Sequence, residues 1–156
     1  MSFFVRRVVT GHSANGRAVV ESDELMTHEI SFRPGMRSHV AWATDALPAD
    51  NTASAAAVNA TTVANGSVFR IIQYAPGVAP RNHRTESIDY AVVLSGEIDM
   101  ELDDGAVVHL KAGDLVVQRG TIHNWVNNGR EPCVIAFVLI AAMPLVTADS
   151  ALVAVG

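Results

Sequence analysis

The second half of the chain alternates short apolar runs with turn residues, at spacings typical of an antiparallel β-protein. Within it, the sequence Asp103-Asp104-Gly105 favours a tight hairpin, because Asp and Gly tolerate the positive φ angles of such turns. No segment here shows the period of an ordinary helix, so the pattern predicts an all-β barrel or sandwich. The predicted strands are residues 67–74, 87–94, 97–102, 107–110, 115–118, 122–126 and 133–141.

The first 66 residues follow a looser pattern. Residues 5–9 and 17–20 predict a hairpin or a pair of edge strands, and residues 39–44 predict a further strand. Residues 46–66 are rich in Ala, Asn, Thr and Ser without a clear period, which predicts a long loop with one weak helical turn at residues 53–58. A loop of this length either covers a site as a lid or is a disordered excursion.

The length and composition are those of a single domain. A chain of 156 residues that is 49% hydrophobic can bury a core without a partner domain. We therefore expect residues 1–66 to pack on a barrel core of residues 67–142, followed by an apolar tail of residues 143–156. Because that tail carries few charges, it can add a strand or cover a sheet edge on a neighbouring subunit, and we expect a homodimer.

Charge and cysteine content exclude several classes of partner. The formal net charge of −5 and the absence of a Lys/Arg cluster argue against nucleic acid. No apolar stretch of membrane-spanning length is free of charges or turn residues, and the first residues lack the pattern of a secretory signal, so we expect a cytoplasmic protein with no membrane partner. The single cysteine, Cys133, cannot form an internal disulfide and predicts a buried apolar position.

Two segments carry the residues with the clearest chemistry. Side chains of the same parity share one face of a strand, so His83, Thr85 and Asp89 point together if their segment is extended, and His123 and Trp125 do so by the same rule. A closed barrel can bring the two segments together at its mouth. His83, Asp89 and His123 then supply nitrogen and oxygen ligands for a divalent Fe, Mn, Ni or Zn ion. The alternative is that each is an ordinary surface or hydrogen-bonded residue, as we interpret the other four histidines.

Residues 77–96 resemble the first cupin motif, in which a Gly is followed by a His-x-His pair, an acidic residue and a turn Gly. Here Gly77, His83, Thr85, Asp89 and Gly96 stand at those positions.

Residues 113–127 resemble the second cupin motif, which runs from a Gly through a turn Gly to a His and an Asn. Gly113, Gly120, His123 and Asn127 supply it. The resemblance covers residues 68–142 and is to small single-domain cupins. It implies a double-stranded β-helix, or jelly-roll barrel, with a divalent metal bound by His83 and His123 and by Asp89 as the acidic residue.

Three positions depart from the cupin pattern. Thr85 replaces the second His of the pair, so it can serve only as a weak ligand or as a hydrogen-bonding partner of the ligands. Asp89 stands where Glu is usual and reaches less far. Gln118 lies where Pro is common and can also support the ligands. With Trp125 as a wall of the pocket, metal binding rests on fewer ligands than a cupin usually offers.

The resemblance implies a metal-dependent enzyme that acts on a small organic acid, ketone or aromatic-pathway intermediate. A lyase or decarboxylase, an isomerase and a dioxygenase all remain open, because each needs a metal that polarises a carbonyl, stabilises an enolate or offers adjacent sites for substrate and dioxygen. The alternatives are a non-catalytic cupin that binds a small molecule and a metal-free acid/base catalyst that uses His and Asp.

Overall fold

The structure, a computed structural model, describes residues 3–58 and 60–156. Within these residues the regular structure is antiparallel strand apart from one 3₁₀ turn at Asp103–Gly105, and loops and turns join the strands. The all-β prediction is confirmed. The strands are β1 (Arg6–His12), β2 (Ala18–Leu25), β3 (Met36–Thr44), β4 (Ser67–Tyr74), β5 (Ser87–Ser95), β6 (Glu97–Glu101), β7 (Val107–Lys111), β8 (Leu115–Arg119), β9 (Asn124–Val126), β10 (Cys133–Ala141), β11 (Leu145–Val146) and β12 (Ala151–Leu152).

Two sheets form the body of the fold. One has five strands in the order β3-β4-β10-β5-β8, and the other has three in the order β7-β6-β9. Strands β1 and β2 form a separate hairpin, as do β11 and β12. Among the described residues the hydrogen-bonded ladders of the two main sheets do not join into one closed barrel, so the site lies between two facing sheets.

The core fills the space between these sheets. Inward residues of the five-stranded sheet, such as Val68, Val93 and Ile135, belong to the same buried cluster as Ile98 and Trp125 of the three-stranded sheet. Alternation along each strand produces this arrangement, because every second side chain points to the same face. The inward face of one end of this core carries polar residues instead, and these build the site described below.

The turn predicted at residues 103–105 has the expected chemistry. Asp104 and Gly105 adopt φ angles of 56° and 73°, and the turn joins β6 to β7 as an antiparallel pair. The predicted boundaries of residues 67–74 and 133–141 are those observed for β4 and β10. Strand β3 begins at Met36 rather than at residue 39, because Met36 and Ser38 are already buried beside β4.

The predicted long loop has no helix in its described part, residues 46–58 and 60–66, so the helical turn predicted at residues 53–58 is wrong. Its apolar residues, Ala56, Val58 and Val63, pack against the core instead. The carbonyl of Ala43 accepts a hydrogen bond from the Ala56 amide, which ties the loop to the end of β3. The loop therefore covers one end of the core, and its opening as a lid stays a prediction.

The tail after β10 folds back on its own chain. Val155 forms an isolated antiparallel bridge with Arg84, and the side chain of Glu86 accepts a hydrogen bond from the Ala154 amide. The tail thereby borders the segment that carries His83. The described tail thus contacts its own chain, and the homodimer expected from the sequence stays a prediction.

Across the described parts of the chain, residues 3–58 and 60–156, we find no helix long and apolar enough to cross a lipid bilayer.

Candidate active site

A cavity opens between the two sheets at the polar end of the core. Five of the predicted site residues line it: His83, Thr85, Asp89, His123 and Trp125. Its free volume is about 40 Å³. Since a water molecule needs about 10–15 Å³ of such volume, the cavity has room for about three waters. A ligand of more than a few atoms therefore requires some movement of the lining.

His83 and His123 lie next to each other in the lining of this cavity. Their backbones form two reciprocal hydrogen bonds of 3.0 Å, so the two segments meet as a short antiparallel bridge. The ring centroids are 4.3 Å apart, and both rings are buried. The structure thus brings together the two histidines that the sequence predicted from separate segments.

The hydrogen bond of each Nδ1 decides which imidazole nitrogen faces a ligand. Nδ1 of His83 lies 3.0 Å from the carbonyl oxygen of Arg81. A carbonyl can only accept, so Nδ1 carries the proton and Nε2 keeps its lone pair. Nε2 has no hydrogen-bond partner among residues 3–58 and 60–156, which leaves it available to a metal ion or to a proton of the substrate.

Nδ1 of His123 has two neighbours with opposite requirements. The Thr121 carbonyl, at 3.0 Å, requires an N–H donor, whereas the amide Nε2 of Gln118, at 2.8 Å, requires a lone pair. The same Gln118 amide also donates to the carbonyl and hydroxyl oxygens of Thr121, at 2.6 and 2.9 Å. His123 is therefore supported in either neutral tautomer, and Gln118 hydrogen-bonds to its ring; the support of a metal ligand by Gln118 stays a prediction.

Asp89 lies on β5, two residues beyond Ser87 and opposite Gln118 of β8. Its Oδ1 accepts a hydrogen bond of 2.5 Å from the Ser87 hydroxyl, which in turn lies 2.8 Å from the hydroxyl of Thr85. All three side chains are buried, as the predicted parity requires. The hydroxyl of Thr85 is thus joined to the carboxylate through Ser87.

Burial acts on all three titratable residues of the predicted set. It lowers the pKa of His83 to about 4, an effect increased by the neighbouring His123. It also lowers the pKa of His123 below its usual value. It raises the pKa of Asp89 to about 6, against the opposing hydrogen bond from Ser87 and the charge of Arg70. Both imidazoles are therefore uncharged at neutral pH, as metal ligands or general bases must be.

The donor set fits a metal ion in part. Two uncharged imidazoles with anchored rings are suitable nitrogen ligands. However, no group of three or more His, Cys, Asp or Glu side chains in the described residues is arranged to hold a metal ion. Asp89 lines the same cavity but is not grouped with the two histidines in this way.

Three arginines that the sequence analysis did not select also line the cavity: Arg33, Arg70 and Arg81. None of them lies within 4.0 Å of a side-chain carboxylate oxygen of the described residues, although Nη2 of Arg81 donates to the oxygen of Gly156 at 2.8 Å. One signal could have identified Arg70, because it alternates with Val68, Ile72 and Tyr74 and so occupies an inward position of a predicted strand. Arg33 and Arg81 lie in connecting segments, where parity gives no such signal.

Asn124 and Trp125 connect the arginines to the histidines. Oδ1 of Asn124 accepts from the backbone amide of Arg81 at 2.9 Å and from Nη1 of Arg33 at 3.5 Å. The Trp125 ring contacts the His123 ring edge-on, with centroids 5.7 Å apart. Trp125 therefore forms the apolar wall that its phase with His123 predicted.

Comparison with known proteins identifies the class. The cupin-domain family profile matches residues 70–140. Phomopsin biosynthesis cluster protein C' of Diaporthe leptostromiformis is 40% identical over 156 residues, covering 89% of this chain and 79% of its own. The cupin-domain-containing oxidoreductase fogC of Aspergillus ruber is 36% identical over 146 residues, covering 87% of this chain and 72% of its own.

Among solved structures, a conserved protein with a double-stranded β-helix domain from Klebsiella pneumoniae matches with a TM-score of 0.44 and 30% identity, over 49% of this chain and 68% of that chain. Together with the facing antiparallel sheets and the two motif histidines, the sequence relatives place this chain in the cupin family. The resemblance of residues 68–142 to cupins is confirmed.

Proposed function

We propose that this protein is an enzyme in which His83 and His123 act on a small organic acid, ketone or aromatic-pathway intermediate bound between the two sheets. The observation that carries the proposal is the pair of buried, uncharged imidazoles, 4.3 Å apart, whose Nδ1 atoms are engaged and whose Nε2 atoms are not. A relative that is 36% identical carries the name oxidoreductase, which supports an enzymatic role. Burying such polar groups is costly unless they serve a purpose.

His83 and His123 would hold a divalent Fe, Mn, Ni or Zn ion through their nitrogen atoms. Asp89 would supply a third ligand through its carboxylate. When bound, such a metal would polarise a substrate carbonyl or take part in redox chemistry, according to its identity. The chain itself contributes the remaining functions. The Arg81 carbonyl and Gln118 orient the rings, and Trp125 keeps water from one side of the site.

Metal-free acid/base catalysis is a second candidate, favoured by the position of Asp89. Its carboxylate is hydrogen-bonded to Ser87 and is not grouped with the two histidines as a ligand set. Nε2 of His83 can then accept a proton from the substrate, and His123, in the tautomer that accepts from Gln118, can donate one from Nε2. The two rings, whose centroids are 4.3 Å apart, would act as base and acid side by side on neighbouring atoms of a bound molecule.

Metal analysis distinguishes the two candidates. The full chain should be purified without a chelating column and analysed for Fe, Mn, Ni and Zn, alongside His83→Ala and His123→Ala. The exposed His109, which is paired with Asp99 at 2.7 Å, provides the control variant His109→Ala. We expect about one metal ion per chain in the wild type and the control, and loss of metal in both site variants.

An unoccupied wild-type protein that also fails to take up added metal would reject the metal-dependent form and favour acid/base catalysis. If the protein then bound ligands but showed no turnover that His83→Ala or His123→Ala reduces, it would be a non-catalytic binding cupin.

A further inference from the structure

We propose that the ligand of this cavity carries a carboxylate group, and that Arg70 and Arg81 bind this carboxylate. The inference rests on the proposed function only in taking the cavity of His83 and His123 as the ligand site. In this proposal the arginines bind the substrate, and the histidines act on it.

Arg70 is a buried guanidinium with unused donors. It lies on β4 with 2% of its surface exposed, and Nη2 donates to the carbonyl oxygens of Ala60 and Thr61 at 3.2 and 2.9 Å. Its Nε is buried without a hydrogen-bond partner in the described part of the chain. A guanidinium offers five N–H donors, and leaving them unsatisfied in a buried position is unfavourable. An external acceptor would satisfy them.

Arg81 converges on the same place. Its Nη2 lies 3.5 Å from the hydroxyl oxygen of Thr61, the residue whose carbonyl Arg70 also contacts. Both guanidiniums lie over the ring of Phe32, at 5.7 and 5.8 Å from its centroid. Nη2 of Arg81 also donates to the oxygen of Gly156 at 2.8 Å. No side-chain carboxylate of the described residues lies within 4.0 Å of either guanidinium, so the two cations line one part of the cavity without an acidic side chain as partner. Their mutual repulsion falls when an anion binds between them.

The remaining charges of the cavity do not replace that anion. Arg33 adds a third cation, over the Tyr74 ring at 5.7 Å. Asp89 is the one carboxylate among the described lining residues; it interacts electrostatically with Arg70 but forms no ion pair with it, and its Oδ1 accepts from Ser87. The chain as a whole has a net charge of −5, so this positive cavity is a local feature and not a consequence of composition. Such a field attracts an anionic ligand into the site.

The lining of the cavity favours a carboxylate over a phosphate. The cavity is also lined by the apolar side chains of Met36, Ile72 and Leu139, which lie on the same five-stranded sheet as Arg70. A planar carboxylate accepts two parallel hydrogen bonds from a guanidinium fork and leaves its carbon chain against such apolar side chains. We infer a short carboxylic acid whose carboxylate contacts the arginines and whose neighbouring carbons lie beside the histidines.

Binding of unreactive probes tests this inference. Butyrate, its neutral analogue butyramide and inorganic phosphate should be titrated calorimetrically into the metal-free full chain. We expect butyrate to bind at least about tenfold more tightly than butyramide, since hydrogen bonds between charged partners are the stronger ones. Phosphate should compete weakly or not at all. Equal affinity for butyrate and butyramide, no binding of butyrate up to tens of millimolar, or tighter binding of phosphate would each overturn the proposal.

Variants of Arg81 show where the probe binds. Arg81→Gln should weaken butyrate binding by about tenfold or more, and Arg81→Lys should weaken it less, because Lys retains the charge but not the fork. Arg70→Lys serves as the second variant if it melts like the wild type. Arg130→Gln, in an exposed turn at the other end of β9, is the matched control and should bind butyrate normally. Unchanged butyrate affinity in Arg81→Gln would reject the assignment.

The same titration separates this inference from the proposed function. If butyrate binding depends on Arg81 but the wild type holds no metal and shows no dependence of turnover on His83, the proposed function fails and the carboxylate site stands. If metal is held by the histidines but butyrate and butyramide bind alike, the opposite holds.

Discussion

At the scale of single residues, folding raises the pKa of the Asp89 carboxyl group. Its carboxyl is 5% exposed and accepts one hydrogen bond, from Ser87. Burial raises its pKa from 3.8 to about 6, with the Ser87 hydrogen bond and the charge of Arg70 opposing that shift. The folded protein therefore holds this proton more tightly than the unfolded chain does. The stability that follows is fully present below about pH 3.8 and is lost as the pH rises through about 6.

Asp89→Asn should therefore gain stability relative to the wild type as the pH rises. The Asn side chain does not ionise, so its advantage should grow between pH 4 and pH 7.5, by at most about 3 kcal/mol for a two-unit shift. Urea denaturation of EDTA-treated wild type and variant at both pH values measures the difference. The titrations of His83 and His123 are common to both proteins and largely cancel. A difference in stability that does not change with pH would contradict the prediction.

Thr85 is the residue that most separates this site from the cupin motif. It is buried in phase with His83 and lines the cavity, so a larger side chain there would face the two imidazoles. Thr85→His should tighten Zn²⁺ binding by more than about tenfold, because even outer partners of metal ligands are worth 10- to 100-fold in affinity. Competition with a chromogenic chelator measures it. Thr85→Val, which has a similar volume and no ligand atom, is the control; equal Zn²⁺ affinity of the two variants would contradict the expected role of position 85.

The sequence allowed the face of each site residue to be predicted, because period-two alternation decides which side chains meet inside a strand. His83, Thr85 and Asp89 are buried for that reason, while Tyr90, of opposite parity to Asp89, is exposed. It did not reveal the arginines in connecting segments, since the position of Arg33 and Arg81 depends on contacts with Asn124 across the fold. Nor could alternation show that Asp89 would accept a hydrogen bond from Ser87 without forming a ligand group with the two histidines.

At the scale of elements, the turns decide how the strands meet. Gly96, between β5 and β6, has a φ of 75°, and a Cβ there would lie 2.6 Å from the Pro132 carbonyl oxygen and 2.9 Å from Cα of Cys133. Gly113, between β7 and β8, has a φ of 93° but open space around the Cβ position. Both glycines are required for their positive φ, but only Gly96 is also required because neighbouring atoms leave no room for a side chain. The strand pattern allowed both turns to be predicted, but not which of them packs against β10.

Gly113→Ala should cost about 1–2 kcal/mol of unfolding free energy, the cost of placing a side chain at positive φ. Gly96→Ala should cost about 3–4 kcal/mol, because the clash with the chain before β10 adds an overpacking penalty. Chemical denaturation of the two variants against the wild type measures both values. Equal losses at the two positions would show that the contact with residues 132–133 is relieved by a backbone shift.

At the scale of the whole molecule, the outer face of the five-stranded sheet is apolar next to its free edge. Strand β8 is the outermost strand beside β5, and Tyr90 pairs with Val117 across these two strands. Tyr90, Leu94, Leu115 and Val117 are all exposed. An apolar face along an unpaired edge is a surface that proteins cover with a partner. We therefore expect the homodimer to form through β5 and β8, while the tail stays on its own chain.

Val117→Lys should shift the protein from dimer to monomer in sedimentation velocity at micromolar concentration, because it places a charge in the middle of the expected contact. Val20→Lys, at a similarly exposed position of β2, should leave the dimer intact. Removal of residues 143–156 should also leave it intact. A monomeric wild type would contradict the homodimer, and a monomer formed only on removal of the tail would move the contact to the tail.

The two hydrogen bonds from Arg70 to the carbonyl oxygens of Ala60 and Thr61 have a kinetic consequence. They connect the loop of residues 46–66 to Arg70, the side chain proposed to bind the carboxylate of the ligand. If the loop acts as the predicted lid, a ligand enters after these two hydrogen bonds break, and exchange between bulk water and the cavity proceeds at the rate at which they break. Stronger hydrogen bonds between Arg70 and this loop would then slow both association and dissociation of the ligand and leave its dissociation constant unchanged.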